Sequence, residues 1–243
     1  MAVDDLGFEL SPRERRRVVS LVPSLTEAIA STNREALVGA TDWCTHPADL
    51  DVTRVRGTKN PDLAAIAALE PDLVIVNQEE NRELDVRRLR ERGVDVWVTR
   101  IETVPEAITS MRRLFAEALQ WPEPSWLAEA ESVWATPAEP RGKVVVPIWR
   151  DPWMVVGRDT FIGDLVRRLG YENVYAGAGE RYPKVDPTEF DRDDVLVLLP
   201  DEPYVFTTDD GPEVFAHART ELVSGRLLTW YGPSLLEARA LSW

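Results

Sequence analysis

"PDLVIVNQEENRELDVRRLRERGVDVWVT", residues 71–99, decides the fold. It opens on an apolar run, "DLVIVN", passes through an amphipathic stretch that closes at Gly93, and ends on a second apolar run, "VDVWVT". A strand buried on both faces reads as an unbroken apolar run, as parallel sheets require. Strand, helix, strand in this order implies parallel strands and a right-handed crossover. Asn81 fits the N-cap of the helix, with Glu79 and Glu80 as charges at its start. Towards the N-terminus the rhythm continues. "RVVSLVPS" (17–24) is a buried strand and "SLTEAIAS" (24–31) a helix, with Ser24 and Glu27 spaced as a capping box. "ALVGATD" (36–42) is a short strand, and "NPDLAAIAALEPD" (60–72) a helix with Leu63, Ile66 and Leu69 on one face, stopped by Pro71.

Towards the C-terminus the rhythm breaks. "TVPEAITSMRRLFAEALQ" (103–120) is a helix with a Thr cap, "WPEP" interrupts it, and "SWLAEAESVW" (125–134) resumes it. The Pro-rich "ATPAEPRG" (135–142) is the best boundary in the chain. After it, "KVVVPIW", "WMVVG" and "DVLVLLP" read as strands, and "DTFIGDLVRRLG" as a helix closed by Gly170. "RLLTW" (226–230) reads as a last strand and "GPSLLEARAL" as a terminal helix. The expected architecture is α/β: two Rossmann-like lobes with parallel sheets, joined by a helical linker. Its parts are an N-terminal arm at 1–17, a first lobe at 18–103, linking helices at 104–140 and a second lobe at 141–243. A ligand cleft is expected where the C-terminal ends of strands from both lobes face each other.

Composition narrows the function. The 243 residues carry a formal net charge of −14, which argues against nucleic acid and an anionic membrane surface as partners. Only "RERRR" (13–17) is strongly basic, and it reads as a solvated arm. One cysteine excludes an intrachain disulfide and the usual Cys-based zinc cages. The first residues show no secretory pattern of positive start and long apolar core, so the expected compartment is the cytoplasm. Nine tryptophans are enough for several to line a site for a flat or apolar ligand.

Four segments at strand ends carry the chemistry: "PSLTE" (23–27), "TDWCTHP" (41–47), "NQEEN" (77–81) and "IWRDPW" (148–153). "GERYPKVD" (179–186) and "WYGP" (230–233) are weaker additions. Cys44 and His46 stand two apart, a spacing that suits neither a zinc knuckle nor a helical His pair. A nucleophile–base pair is also disfavoured against the plainer reading of a buried Cys44 and a His46 bonded to backbone. Lys59 in "GTKNPD" precedes a helix without the Gly-rich run of a phosphate loop. Trp149 and Trp153 flank Arg150 and Asp151 at the end of a buried strand. Two readings stay open there. A ring stacks on a ligand while Arg150 meets an anionic group, or a Trp packs in the core beside a rim ion pair.

Taken in order, "RVVSLVPSLTEAIA", "LVGATDWCTHP", "VRGTKNPDLAAIAALEPDLVIVN" and "LRERGVDVWV" resemble the helical-backbone, class III substrate-binding proteins. "VGRDTFIGDLVRRLGYENVY" and "YPKVDPTEF" are similar to that family's second lobe. Transport members bind cobalamin, haem, ferric siderophores or metal ions, and this version is most similar to the cobalamin-binding-like branch. The resemblance implies two rigid lobes and a ligand site lined by Pro23, Ser24, Trp43, His46, Lys59, Glu79, Trp149, Arg150 and Trp153. Within it, Arg150 and Lys59 would meet peripheral carboxylates or phosphates, His46 could approach a metal centre, and Cys44 would point into the lobe. The docking glutamates of transport members fall at Ala64 and Thr188, which argues against an ABC permease. The resulting expectation is a non-enzymatic binding protein for a small molecule, a corrinoid or haem-like chelate, with no required cofactor and no metal of its own. Its rivals are a binding protein for a small aromatic or cationic metabolite, and an enzyme working through Glu79, Glu80 or His46.

Overall fold

The computed structural model describes all 243 residues, and they divide into two compact units. Unit one holds Met1–Ile101, Glu106–Ala130 and Tyr231–Pro233; unit two holds Glu102–Pro105, Glu131–Trp230 and Ser234–Trp243.

Unit one begins with a hairpin of β1 (Ala2–Val3) and β2 (Glu9–Leu10). Then come β3 (Val18–Ser20), α1 (Pro23–Asn33), β4 (Leu37–Ala40) and β5 (Thr53–Arg54). A small antiparallel pair follows, β6 (Arg56–Gly57) with β7 (Asn60–Pro61), and then α2 (Leu63–Ala68). The opening stretch of the sequence supplies β8 (Leu73–Asn77), α3 (Glu83–Glu91) and β9 (Val96–Thr99). β5-β4-β3-β8-β9 form one sheet, and every pairing in it is parallel. All five residues of β8 are buried, as its unbroken apolar run requires. Val19, Val74, Val76, Val96 and Val98 pack with Ile66 of α2 and with Val86 and Leu89 of α3. Asp62 caps α2 by accepting from the backbone of Ala64 and Ala65. A helical stretch follows, from α4 (Val104–Arg113) through a π-turn at Leu114–Leu119 into α5 (Ser125–Trp134), of which Glu106–Ala130 belong to unit one.

Three local expectations are corrected here. No capping box forms at α1. Pro23 takes the first helical turn, Val22 is the N-cap without a side-chain bond, and Ser24 and Glu27 are buried within the helix. Asn81 does not cap α3, whose N-cap is Arg82. The "RERRR" run is exposed except at Arg15, where the solvated reading fails. Arg15 is fully buried and donates to Asp95, to the carbonyls of Asp72 and Ala118, and to Ser11 O. The hairpin ahead of it covers the edge of β9: Asp5 N donates to Val98 O, and Asp4 accepts from Val98 N. An uncovered sheet edge would present unpaired donors and acceptors.

Unit two contains β10 (Gly142–Val145) and a hairpin of β11 (Pro147–Trp149) with β12 (Met154–Val155). α6 (Phe161–Arg168), β13 (Tyr171–Asn173), β14 (Val195–Pro200) and β15 (Arg219–Val223) follow, with α7 (Gly225–Thr229) and α8 (Ser234–Ala238) last. Its sheet, β13-β10-β14-β15, is again parallel throughout. α6 buries Phe161, Ile162, Leu165 and Val166 on one side, and Thr160 caps it by accepting from Gly163 N. Gly170 closes it at φ +93, where a side chain would also collide with the backbone of Glu139. "RLLTW" is helical, not a strand. A short apolar run is ambiguous by periodicity alone, and Gly225 turns the chain by donating to Asp201 Oδ1 at 2.6 Å. The last strand is instead "RTELV", β15, an edge strand whose polar residues hid it.

Candidate functional site

The carboxyl ends of β4, β3, β8 and β9 lie side by side in unit one, and a buried polar network ties their loops. Asn81 is its hub. Its Oδ1 accepts from Asn77 N at 2.9 Å, and its Nδ2 donates to Leu21 O at 3.2 Å and Thr58 O at 3.0 Å. Asn77 in turn donates to Thr99 Oγ1 and accepts from the backbone of Glu79. The residue expected to cap a helix therefore joins three loops, because its amide can donate and accept at once. Tyr231 is buried in the same unit, against Ser24 and Thr99. Burial first, and then the charge of Glu80, pushes its phenol well above the ordinary range.

Around this network stand the expected site residues of the unit. Trp43 is 65% exposed, an unusual state for a large aromatic. Its indole edge rests on Gly57, where an added Cβ would sit 3.1 Å from Trp43 Nε1 and 2.6 Å from Asn60 Oδ1. A larger residue there would make the Asn60 and Trp43 side chains shift. Lys59 is exposed and donates to Glu79 O, joining the β6–β7 turn to the end of β8; the Glu79 side chain is exposed. Pro23 is half-buried at the start of α1, whereas Ser24 is only 2% exposed. His46 is half-buried, with Nδ1 3.2 Å from Thr45 Oγ1. Cys44 points inward, as the resemblance implied, its thiol 3.0 Å from Thr26 Oγ1 and 3.1 Å from Thr41 Oγ1. Burial pushes that thiol up despite the two hydroxyls. Arg54, which the sequence reading passed over, fixes this loop by donating to the carbonyls of Thr41, Cys44 and Leu50.

In unit two the β11–β12 hairpin separates its two tryptophans. A bulge between Pro147 and Trp149 leaves Trp149 45% exposed, edge-on to Tyr204 at 5.6 Å. Trp153 is 8% exposed, stacked on Phe206 and edge-on to Phe215, each at 5.7 Å. It belongs to the core of the unit, as in the reading of a tryptophan packed beside a rim ion pair. Arg150 forms that ion pair. It pairs with Asp210 and with Glu213 at 2.7 Å, and its guanidinium lies 5.6 Å from the Trp153 ring. Asp210 accepts from Tyr204 Oη at 2.6 Å as well. Arg150 thus braces the hairpin against the 204–213 loop. Tyr204, Asp210 and Glu213 were not foreseen, because they lie in an irregular loop with no periodicity to mark them. No set of three or more His, Cys, Asp or Glu side chains converges as a metal cage.

No family model matches the chain. Its sequence is 27% identical over 195 residues to the vitamin B12-binding protein of Salmonella typhimurium, covering 76% of this chain and 70% of that protein. The vitamin B12-binding protein of Vibrio campbellii is 23% identical over 190 residues, covering 74% and 68%. Among solved structures, the apo periplasmic heme-binding protein RhuT from Roseiflexus sp. RS-1 superposes with a TM-score of 0.77 at 21% identity, covering 92% of this chain and 96% of that one. The periplasmic vitamin B12 binding protein BtuF of Vibrio cholerae gives a TM-score of 0.73 at 17% identity, covering 93% and 94%. The structures establish a shared two-lobe α/β fold, and the curated relatives are binding proteins. The periplasmic relatives overturn the cytoplasmic expectation, which rested only on the first residues of the chain. They likewise leave the argument from Ala64 and Thr188 against a permease without support.

Proposed function

We propose that this chain, a homologue of vitamin B12-binding proteins with the class III periplasmic-binding fold, is a non-enzymatic binding protein for a corrinoid or a closely related metal-chelate macrocycle. The observation that carries the reading is the likeness to vitamin B12-binding proteins over about three quarters of the chain, 76% for the first relative. The side chains agree with it. Trp43 and Trp149 each offer an open indole face at a strand end of its own unit, and such a face contributes on the order of 1 kcal/mol against a ring. Pro23, Lys59 and Glu79 complete the rim of unit one, and His46 supplies an imidazole suited to a metal centre. Binding of this kind needs shape and stacking, with no bond made or broken.

The test is a titration of the purified protein with cobalamin, cobinamide and haem, following tryptophan fluorescence, beside native mass spectrometry of protein from its own host. Saturable quenching by a corrinoid is the expected result. Absence of binding by all three below about millimolar, near −4 kcal/mol, sinks the reading.

A further inference from the structure

We propose that two copies of this chain pair through the open edge of β15, antiparallel about a twofold axis at Thr220, with Arg219 of each copy facing the partner's Glu221. Pairing of this kind needs no ligand. A sheet edge presents unpaired N–H and C=O groups, and chains guard such edges by covering them or by keeping them very short. The two parallel sheets have edges at β5, β9, β13 and β15. The first three are guarded: the amino-terminal hairpin covers β9, β5 has 2 residues and β13 has 3. β15 has 5 residues, pairs with β14 alone and carries Leu222 43% exposed.

The ladder fixes which backbone groups of β15 are open. Val223 O accepts from Asp201 N, on the β14 side. Neighbouring residues of a strand send their backbone groups to opposite sides, so Arg219, Glu221 and Val223 bond towards β14 while Thr220 and Leu222 face outwards. A second β15 must therefore be met by Thr220 and Leu222. With the axis at Thr220, that residue exchanges backbone bonds with its twin, and each Arg219 stands opposite the partner's Glu221. These are the non-hydrogen-bonded pairs, whose side chains come closest. An axis at Arg219 or Glu221 sets like charges against each other, and one at Leu222 leaves both charges unmatched. Arg219 and Glu221 already pair on one face within the chain, so two copies bring two such pairs together head to tail. An edge charged with a single sign repels a second copy, whereas this one complements itself. Exposed Leu222 falls opposite the partner's Ala218, which covers apolar surface. The contact uses the same patch on both copies, so it closes as a dimer and does not grow. Its small area makes the pairing weak and reversible.

Analytical ultracentrifugation of the full chain without ligand, from about 1 μM to about 1 mM, tests the pairing over the range where weak contacts form. A concentration-dependent dimer is the expected result. Arg219→Glu and Glu221→Arg are each expected to weaken it at least about tenfold, because like charges then stand opposite across the axis. Mixed together, these two variants are expected to pair with each other. The double variant Arg219→Glu, Glu221→Arg is expected to pair with itself, since both cases restore opposite charges. Amide exchange on the wild type reads the edge directly: Thr220 and Leu222 should gain protection as concentration rises, with Glu221 and Val223 protected throughout. A wild type still monomeric at about 1 mM overturns the proposal. A dimer that neither single variant weakens, or single variants that fail to pair when mixed, overturns it as well. Arg219 is exposed and Glu221 partly so, which favours intact folding of the variants. Should one of them fail to fold, amide exchange on the wild type still decides.

Discussion

Trp149 and Trp153 stand four residues apart and do different work. The first has an open face, while the second is closed in by Phe206 and Phe215. Replacing Trp149 by Ala should weaken corrinoid binding about tenfold, which is about 1.4 kcal/mol, and leave thermal stability nearly unchanged. Replacing Trp153 by Ala should lower stability by about 3–5 kcal/mol, as measured by denaturant unfolding without ligand. The reverse assignment of effects would refute this division. Cys44 allows a second test at this scale. Its thiol is buried and pushed up, so a thiol reagent should leave the native protein untouched near neutral pH and label it promptly once unfolded. Rapid labelling of the native protein would show that the loop at 41–50 opens.

At the scale of the element, side-chain amides tie together the loops at the ends of β3, β8 and β9. Asn81 makes three hydrogen bonds from a buried position. Its replacement by Ala leaves Leu21 O, Thr58 O and Asn77 N without that partner and should cost about 2–4 kcal/mol, given 1–3 kcal/mol for an orphaned buried group. A cap residue would cost only about 1 kcal/mol. Urea unfolding of the variant separates the two, and a loss near the smaller figure would mean that water takes over the bonds. The sequence marks this residue only as polar before a helix, a pattern that fits a cap. Its real partners come from segments distant in the chain, 23 and 60 residues away.

For the whole molecule, the charge balance predicts how stability responds to acid. Burial works to raise the carboxyl of Asp164, but Val104 N, Arg167 and Arg168 outweigh it and hold the group below its usual range. Asp62, Asp186 and Asp191 are also lowered, chiefly by backbone N–H donors. Carboxylates lowered in the folded state stabilise it above their unfolded pKa, about 3.9. That contribution is lost as pH falls through the folded values. Stability should therefore drop steeply below about pH 4, and Asp164→Asn should be less stable at neutral pH with a shallower acid decline. A variant profile parallel to the wild type would refute the assignment to Asp164.

Much of this protein was written in runs and breaks of hydrophobicity. The unbroken apolar strands at 73–77 and 195–200, the amphipathic helices between them and the glycine stops at 93 and 170 determine a parallel α/β plan without reference to contacts. Such signals are local, since burial on both faces of a strand needs apolar residues at every position. The open state of Trp43 over Gly57, the burial of Arg15, the closure of Arg150 by Asp210 and Glu213 and the helical form of "RLLTW" were decided by tertiary structure alone. Each depends on which distant segment arrives beside the residue, and a side chain carries no mark of the partner it will meet. A tryptophan reads the same whether its face ends against a phenylalanine or against solvent, and an arginine reads the same whether its carboxylates come from its own fold or from a ligand.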